Sequence, residues 1–191
     1  MIINLDSDDV IYDCIELFKR RMEQVFDRKL PPPTSWRVGE SWDISNEDID
    51  YHFVKEARDG LFQLSEPVPG AIAGVYALLE AGHDIRVVTN KGVLGWGSLP
   101  AIRDTVGWYA KWGLIGDVDL VFTRGYEKQG YPADVVVDDR PDLSWTQEGA
   151  ANILFDRPWN GKIVGATNNS WIRAMDWDNI IELVEIETED R

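Results

Sequence analysis

Within its first thirteen residues the chain passes from a short apolar stretch, Ile2-Ile3-Asn4-Leu5, straight into four aspartates, Asp6, Asp8, Asp9 and Asp13. Like charges this close repel one another, and burying them is unfavourable. Any fold that accepts them must offset that cost. Carboxylates gathered at the end of a buried strand are what a hard cation such as Mg²⁺ requires, and a carboxylate can also act as a nucleophile toward phosphorus. The competing reading is that Asp9 or Asp13 caps the following helix while Asp6 and Asp8 lie in a solvated turn.

The same punctuation recurs downstream. Apolar, β-branched residues predict a buried strand over 84–89, and further strands follow over 119–122, 134–137 and 152–155. Each ends in polar residues: Thr89-Asn90-Lys91-Gly92, Thr123 to Lys128, Asp138-Asp139-Arg140-Pro141-Asp142 and Asp156-Arg157-Pro158. Helical spacing covers Ile11 to Arg28, Ala71 to Ala81 with Gly82 as its stop, Ser98 (as cap) to about Trp112, and Asp176 to Glu187. Strands alternating with helices predict an α/β fold with a doubly wound parallel sheet. Between Leu30-Pro31-Pro32-Pro33 and Ser65 the chain changes character, with Trp36, Trp42, Tyr51, His52, Phe53 and Phe62 and a capping-box-like start at Ser45 and Asp48. It reads as a small, mostly helical insertion after the first strand, placing the core at 1–14 and 66–191 and the insertion at 15–65.

Composition narrows the partners. A net charge of -15 repels nucleic acid polymers and anionic membranes, so a bound phosphate ester must be small and met by a metal and a placed cation. Cys14 is the only cysteine, which excludes an internal disulfide and a Cys-rich metal site. With no basic leader and no long apolar run, the expected setting is cytoplasmic. A homodimer is left open. Nine Trp residues serve either as packing or as flat faces for a ring-bearing ligand.

In a parallel sheet, ligands bind beyond the carboxyl ends of the strands. Collected there are Asp6 and Asp8, Thr89 and Asn90, Lys128, and Asp138 and Asp139. Phosphoryl transfer to a carboxylate needs a nucleophile, an acid/base, a charge-neutralising cation and donors to the phosphate oxygens. Asp6 fits the nucleophile and Asp8 the acid/base. Thr89, Asn90 and Lys128 fit the phosphate, and Asp139 with Asp138 completes Mg²⁺ binding alongside Asp6. Lys91 rivals Lys128 for the phosphate.

These motifs carry a resemblance. Asp6-Ser7-Asp8-Asp9-Val10, Val87-Val88-Thr89-Asn90, Thr123 to Lys128 and Val136-Val137-Asp138-Asp139-Arg140-Pro141-Asp142 resemble those of haloacid-dehalogenase-type phosphatases, in particular the 5'(3')-deoxyribonucleotidases. Pro67 to Ala71, Ile153 to Asp156 and Trp177 are family-like as well, and the likeness spans most of the chain outside 30–65. Departures are Ser7 for an apolar residue, Asp9 for a frequent Gly, Asn90 for a frequent Ser, and extra residues between Thr123 and Lys128. The resemblance implies a Mg²⁺-dependent phosphatase of small nucleoside monophosphates working through an aspartyl phosphate, with Mg²⁺ on the Asp6 carboxylate, the Asp8 main-chain carbonyl and Asp139. It also implies a cap whose aromatics sandwich the base, for which Trp36, Trp42, Tyr51 and Phe53 are the candidates. Alternatives are a phosphatase for another small ester, such as a sugar phosphate, and a non-catalytic nucleotide-binding protein.

Overall fold

The computed structural model describes residues 1–142, 144–163 and 171–189. Its centre is β1 (Ile2–Leu5), flanked by β4 (Asp84–Thr89) on one side and β6 (Val135–Asp138) on the other. Outward lie β5 (Asp119–Phe122) beside β4, then β7 (Ala151–Phe155) and β8 (Ile172–Ala174) beyond β6. All five pairings are parallel. The chain therefore winds outward on one side of β1, returns, and winds outward on the other. Ile3, Leu5, Val87, Val135 and Val137 are fully buried, as expected for strands covered on both faces. The reversal of winding at β1 puts the aspartates that follow it at the crevice where such sheets bind ligands.

Three local readings are corrected. The first helix, α1, is Cys14–Val25, because Tyr12-Asp13 forms a short strand, β2, paired antiparallel with β3 (Glu66–Pro67). The apolar spacing at Ile11 and Tyr12 reflects burial beside the sheet, which a helix and a turn satisfy equally. Ser98 is not a cap: it is the first residue of α6 (Ser98–Lys111), Gly97 holds the cap position, and the Ser98 hydroxyl is buried without a partner. β8 is a sixth strand whose three residues carry too little pattern to announce it.

Between β2 and β3 lie four helices among the described residues: α1, α2 (Val38–Trp42), α3 (Asn46–Arg58) and α4 (Leu61–Leu64). Asp13 caps α1 by accepting from Glu16 N at 3.1 Å, and Ser45 caps α3 by accepting from Asp48 N at 3.1 Å. Their interior is aromatic. Phe18 packs on Trp42 and Phe53, and Phe53 reaches Phe62, which in turn meets Tyr12 of β2. The insertion thus shares one apolar core with the sheet across the β2–β3 ribbon. Among the described residues no helix is long and apolar enough to cross a membrane.

Helix α5 (Ala71–Glu80) and the closing helix α7 (Trp177–Glu189) pack together through Trp177. That indole is buried and donates to the Val10 carbonyl at 2.9 Å, bracing the turn after β1. It fits only because residue 74 is glycine: a Cβ there would lie 2.3 Å from the Trp177 ring. Gly74→Ala should therefore destabilise the fold by about 1–3 kcal/mol through overpacking, read as a lowered denaturant midpoint with an unchanged slope.

Candidate active site

The turn after β1 is built to hold charge. Asp6 N donates to the Val137 carbonyl, extending the ladder with β6 by one residue, and Ile11 N and Tyr12 N both return to the Ser7 carbonyl. Asp9 takes a positive φ of 59° to close this loop, the position where related phosphatases often use Gly. Its carboxylate accepts from Ile15 N at 2.9 Å, and Arg157 donates to its carbonyl. The Ser7 hydroxyl is 2.8 Å from Tyr109 OH of α6, so the turn is gripped from the helical layer as well.

Around this turn the strand ends converge. Lys128 Nζ lies 2.9 Å from Asp6 Oδ1 and 2.8 Å from Asp138 Oδ2, all three side chains nearly buried. Carboxylate oxygens of Asp6, Asp138 and Asp139 lie within 4.8 Å of one another. Asp138 also accepts from Arg140 N at 3.0 Å, and Asp139 from the Trp159 indole N–H at 2.9 Å. Asn90 accepts from Gly125 N at 2.8 Å, tying the loop after β4 to the loop that carries Lys128. The Thr89 hydroxyl is buried with no partner, an orphan donor at the carboxyl end of β4.

The electrostatics are those of an under-neutralised cluster. Burial pushes the Asp6 carboxyl up to about 6; Lys128 opposes this, and Asp138 and Asp8 add to it. Asp139 is raised well above the usual carboxylate range by burial and then by Asp138. Burial likewise lifts Asp9 to about 7, against the pull of Arg157. For Lys128, burial disfavours the charge, yet Asp138 and Asp6 outweigh it and hold the ammonium above its ordinary range. Three hard oxygen donors with too little positive charge between them suit Mg²⁺.

A cleft of about 870 Å³ opens over this cluster, with Asp6, Asp8, Asn90 and Lys128 on the core side and Trp36 and Phe53 on the insertion side. Of the four aromatic candidates for base contact, only these two line it. Trp42 lies inside the insertion, 1% exposed, packed on Phe18 and donating to the Pro31 carbonyl at 2.9 Å. Tyr51 is on the outer side of α3, 61% exposed, because Ile49, Phe53 and Ala57, spaced by four, turn the opposite side inward. The rival lysines also separate: Lys128 touches Asp6, whereas Lys91 is sealed from solvent and pairs with Asp8. Sequence reasoning missed Trp159, Asn160 and Arg157 as supports, although the motif end at Asp156-Arg157-Pro158 lies on the same edge of the sheet. Asn160 donates to the Asp139 carbonyl at 2.8 Å.

A parallel sheet with an aspartate pair past its first strand, Thr at the end of its second, Lys beyond its third and an aspartate pair at the end of its fourth defines a haloacid-dehalogenase-like phosphatase. Solved structures agree on the fold. The chain superposes on a haloacid dehalogenase-like hydrolase from Streptococcus pneumoniae with a TM-score of 0.58 at 9% identity, covering 97% of each chain. It also superposes on the D,D-heptose 1,7-bisphosphate phosphatase of B. bronchiseptica, solved with magnesium and phosphate, with a TM-score of 0.54 at 16% identity, covering 97% of this chain and 98% of the other. Residues 1–189 match the model of the family described as 5' nucleotidase, deoxy (pyrimidine), cytosolic type C, and the chain belongs to that family. A relative from Chlorobaculum tepidum, named "Putative 5'(3')-deoxyribonucleotidase", is 27% identical over 97% of this chain and 90% of its own. The protein is accordingly a phosphate monoester hydrolase of the 5'-nucleotidase type.

The raised Asp6 carboxyl has a measurable consequence in metal-free protein. Its folded value of about 6 exceeds the ordinary 3.8, so the folded chain keeps a proton that the unfolded chain has released. That contribution to stability is present below about pH 4 and is lost as pH rises through about 6. Asp6→Asn should therefore raise the melting temperature at pH 7.5 in the presence of a chelator, with the gain fading toward pH 4.

Proposed function

We propose that the protein is a Mg²⁺-dependent phosphatase of deoxyribonucleoside monophosphates that works through an aspartyl phosphate. The observation that carries this reading is the meeting of Asp6, Lys128, Asp138 and Asp139 at one point under a cleft that has aromatic rings on its far wall. The name of the Chlorobaculum relative supports the deoxyribonucleotide part.

In this reading an Asp6 carboxylate oxygen attacks phosphorus, and the bond from phosphorus to the ester oxygen breaks. Asp8 gives its proton to the departing sugar oxygen. It then takes a proton from water, whose oxygen attacks phosphorus, releasing phosphate and restoring Asp6. Lys128, the free Thr89 hydroxyl and Asn90 hold the phosphate oxygens. Asp6, Asp139 and the Asp8 carbonyl, with Asp138 beside them, would hold Mg²⁺, which when bound neutralises both the carboxylates and the phosphate. Residues 15–65 serve as the cap and 1–14 with 66–191 as the core; 143, 164–170 and 190–191 of that span lie outside the described residues. Trp36 and Phe53 provide faces for the base.

The test is a panel of esters assayed in Mg²⁺: deoxyribonucleoside 5'- and 3'-monophosphates, ribonucleotides, sugar phosphates and a 3'-phosphorylated oligonucleotide. Deoxyribonucleoside monophosphates should have the highest kcat/KM, and comparable turnover of sugar phosphates would refute the substrate assignment. Asp6→Asn should lower turnover by roughly 10³-fold or more, as loss of a nucleophile does. Asp13→Ala, which removes only a helix cap, should leave kcat within about threefold and cost about 1 kcal/mol of stability.

A further inference from the structure

We propose that Lys91 is a positioning residue that holds the Asp8 carboxyl in register with the leaving group and ties it to the helical insertion. This rests on the reading of Asp8 as acid and base.

The Lys91 side chain is completely buried, although lysine is among the residues least often found inside a protein. Its ammonium pairs with Asp8 Oδ1, while the Asp8 side chain keeps 29% of its exposure and lines the cleft. On the other side Nζ lies 3.7 Å from the centre of the Phe62 ring in α4 and 5.4 Å from that of Tyr12 in β2. An ammonium taken out of water costs several kcal/mol unless it is paired and its remaining faces are satisfied; here one carboxylate and two ring faces meet it. Lys91 does not line the cleft, and the cleft-lining side chain it pairs with is Asp8.

This geometry assigns the two oxygens of Asp8 different tasks. Oδ1 is held by Lys91, which leaves Oδ2 to carry the proton that passes to the ester oxygen and later returns from water. The backbone maintains the register. Lys91 N donates to the Thr89 carbonyl, and Gly92 N donates to the Thr123 carbonyl at 3.0 Å. Residue 92 sits so close to β5 that a Cβ would fall 2.8 Å from that carbonyl. The lysine is thus fixed from the sheet side, and Phe62 presents the insertion to it from the other.

The experiment compares kcat/KM for a deoxyribonucleoside monophosphate and for p-nitrophenyl phosphate in saturating Mg²⁺. This ratio covers the steps up to departure of the leaving group, and p-nitrophenolate departs without a proton. Lys91→Met should lower the nucleotide value by roughly 10²-fold, the lower range for general acid catalysis, and the p-nitrophenyl value by less than about tenfold. Asp8→Asn should show the same split, and the Asp8→Asn/Lys91→Met double variant should be no worse than Asp8→Asn alone. Phe62→Leu keeps the ammonium but removes its ring face; it should show a smaller split of the same sense, and it stands as the test if Lys91→Met does not fold. Equal loss on both esters, no loss, or multiplicative loss in the double variant would overturn the role of Lys91. If Asp8→Asn itself fails to separate the esters, the acid assignment falls; if it separates them and Lys91→Met does not, only the present inference falls.

Discussion

The feature on which the rest of the structure depends is the crowding of carboxylates beyond the carboxyl ends of β1 and β6. Two unit charges 4 Å apart repel by about 4 kcal/mol at the effective dielectric of a protein surface, and more in a drier site. Asp6, Asp138 and Asp139 lie within 4.8 Å of one another, with Asp8 and Asp9 on the same loop. Lys128 is shared between two of them, and Lys91 is committed to Asp8. Burial first, and the neighbouring carboxylates after it, raise the Asp6 and Asp139 carboxyls. What looks like a folding liability is a set of hard oxygen donors suited to a divalent cation, in a protein of net charge -15.

Holding such a cluster still requires rigid neighbours, and the tryptophans supply them. The indole N–H of Trp177 anchors the Val10 carbonyl, that of Trp108 the Ser65 carbonyl, and that of Trp145 the Arg140 carbonyl, each at 2.8–2.9 Å. These are the turn after β1, the return from the insertion and the loop after β6. Trp159 goes further and bonds the Asp139 carboxylate itself. A buried indole combines a large apolar area with one directional donor, so it can fill a layer and fix a loop at once. Packing and loop support therefore account for these four rings, whereas Trp36 is half-exposed at the cleft.

The sheet was legible because its central strands are buried on both faces and the strands that were read each break sharply into polar residues. The convergence of Asp6, Thr89, Lys128 and Asp139 followed from that topology alone. What did not follow was anything set by three-dimensional neighbours. Lys128 and its rival Lys91 both follow strand ends, and nothing in the sequence shows that Lys91 lies between Phe62 and Asp8 while Lys128 meets Asp6. Ile172-Arg173-Ala174 is too short for period-two patterning, and its place at the sheet edge leaves Ile172 exposed. Trp159 and Asn160 follow a strand whose end was noted, yet a lone indole or amide carries no spacing signal for the carboxylate it supports.

The insertion reaches the charged site at two places, and they differ in what separation would cost. At the cleft, Trp36 meets Trp159 edge-on with ring centres 6.4 Å apart, and Trp36 remains 47% exposed. Parting these rings returns a modest apolar area to water. At the other place Phe62 covers the Lys91 ammonium at 3.7 Å, deep in the shared aromatic core beside the β2–β3 ribbon. Parting there would strip a ring face from a buried charge and open the core as well. Relative movement of the insertion is thus cheaper at the Trp36 side of the cleft than at α4, and a ligand entering past Trp36 and Trp159 leaves the Lys91–Asp8 pair undisturbed. The proposed acid/base Asp8 and its partner Lys91 belong to the more tightly packed end of the cleft, and Trp36 to the end that can yield.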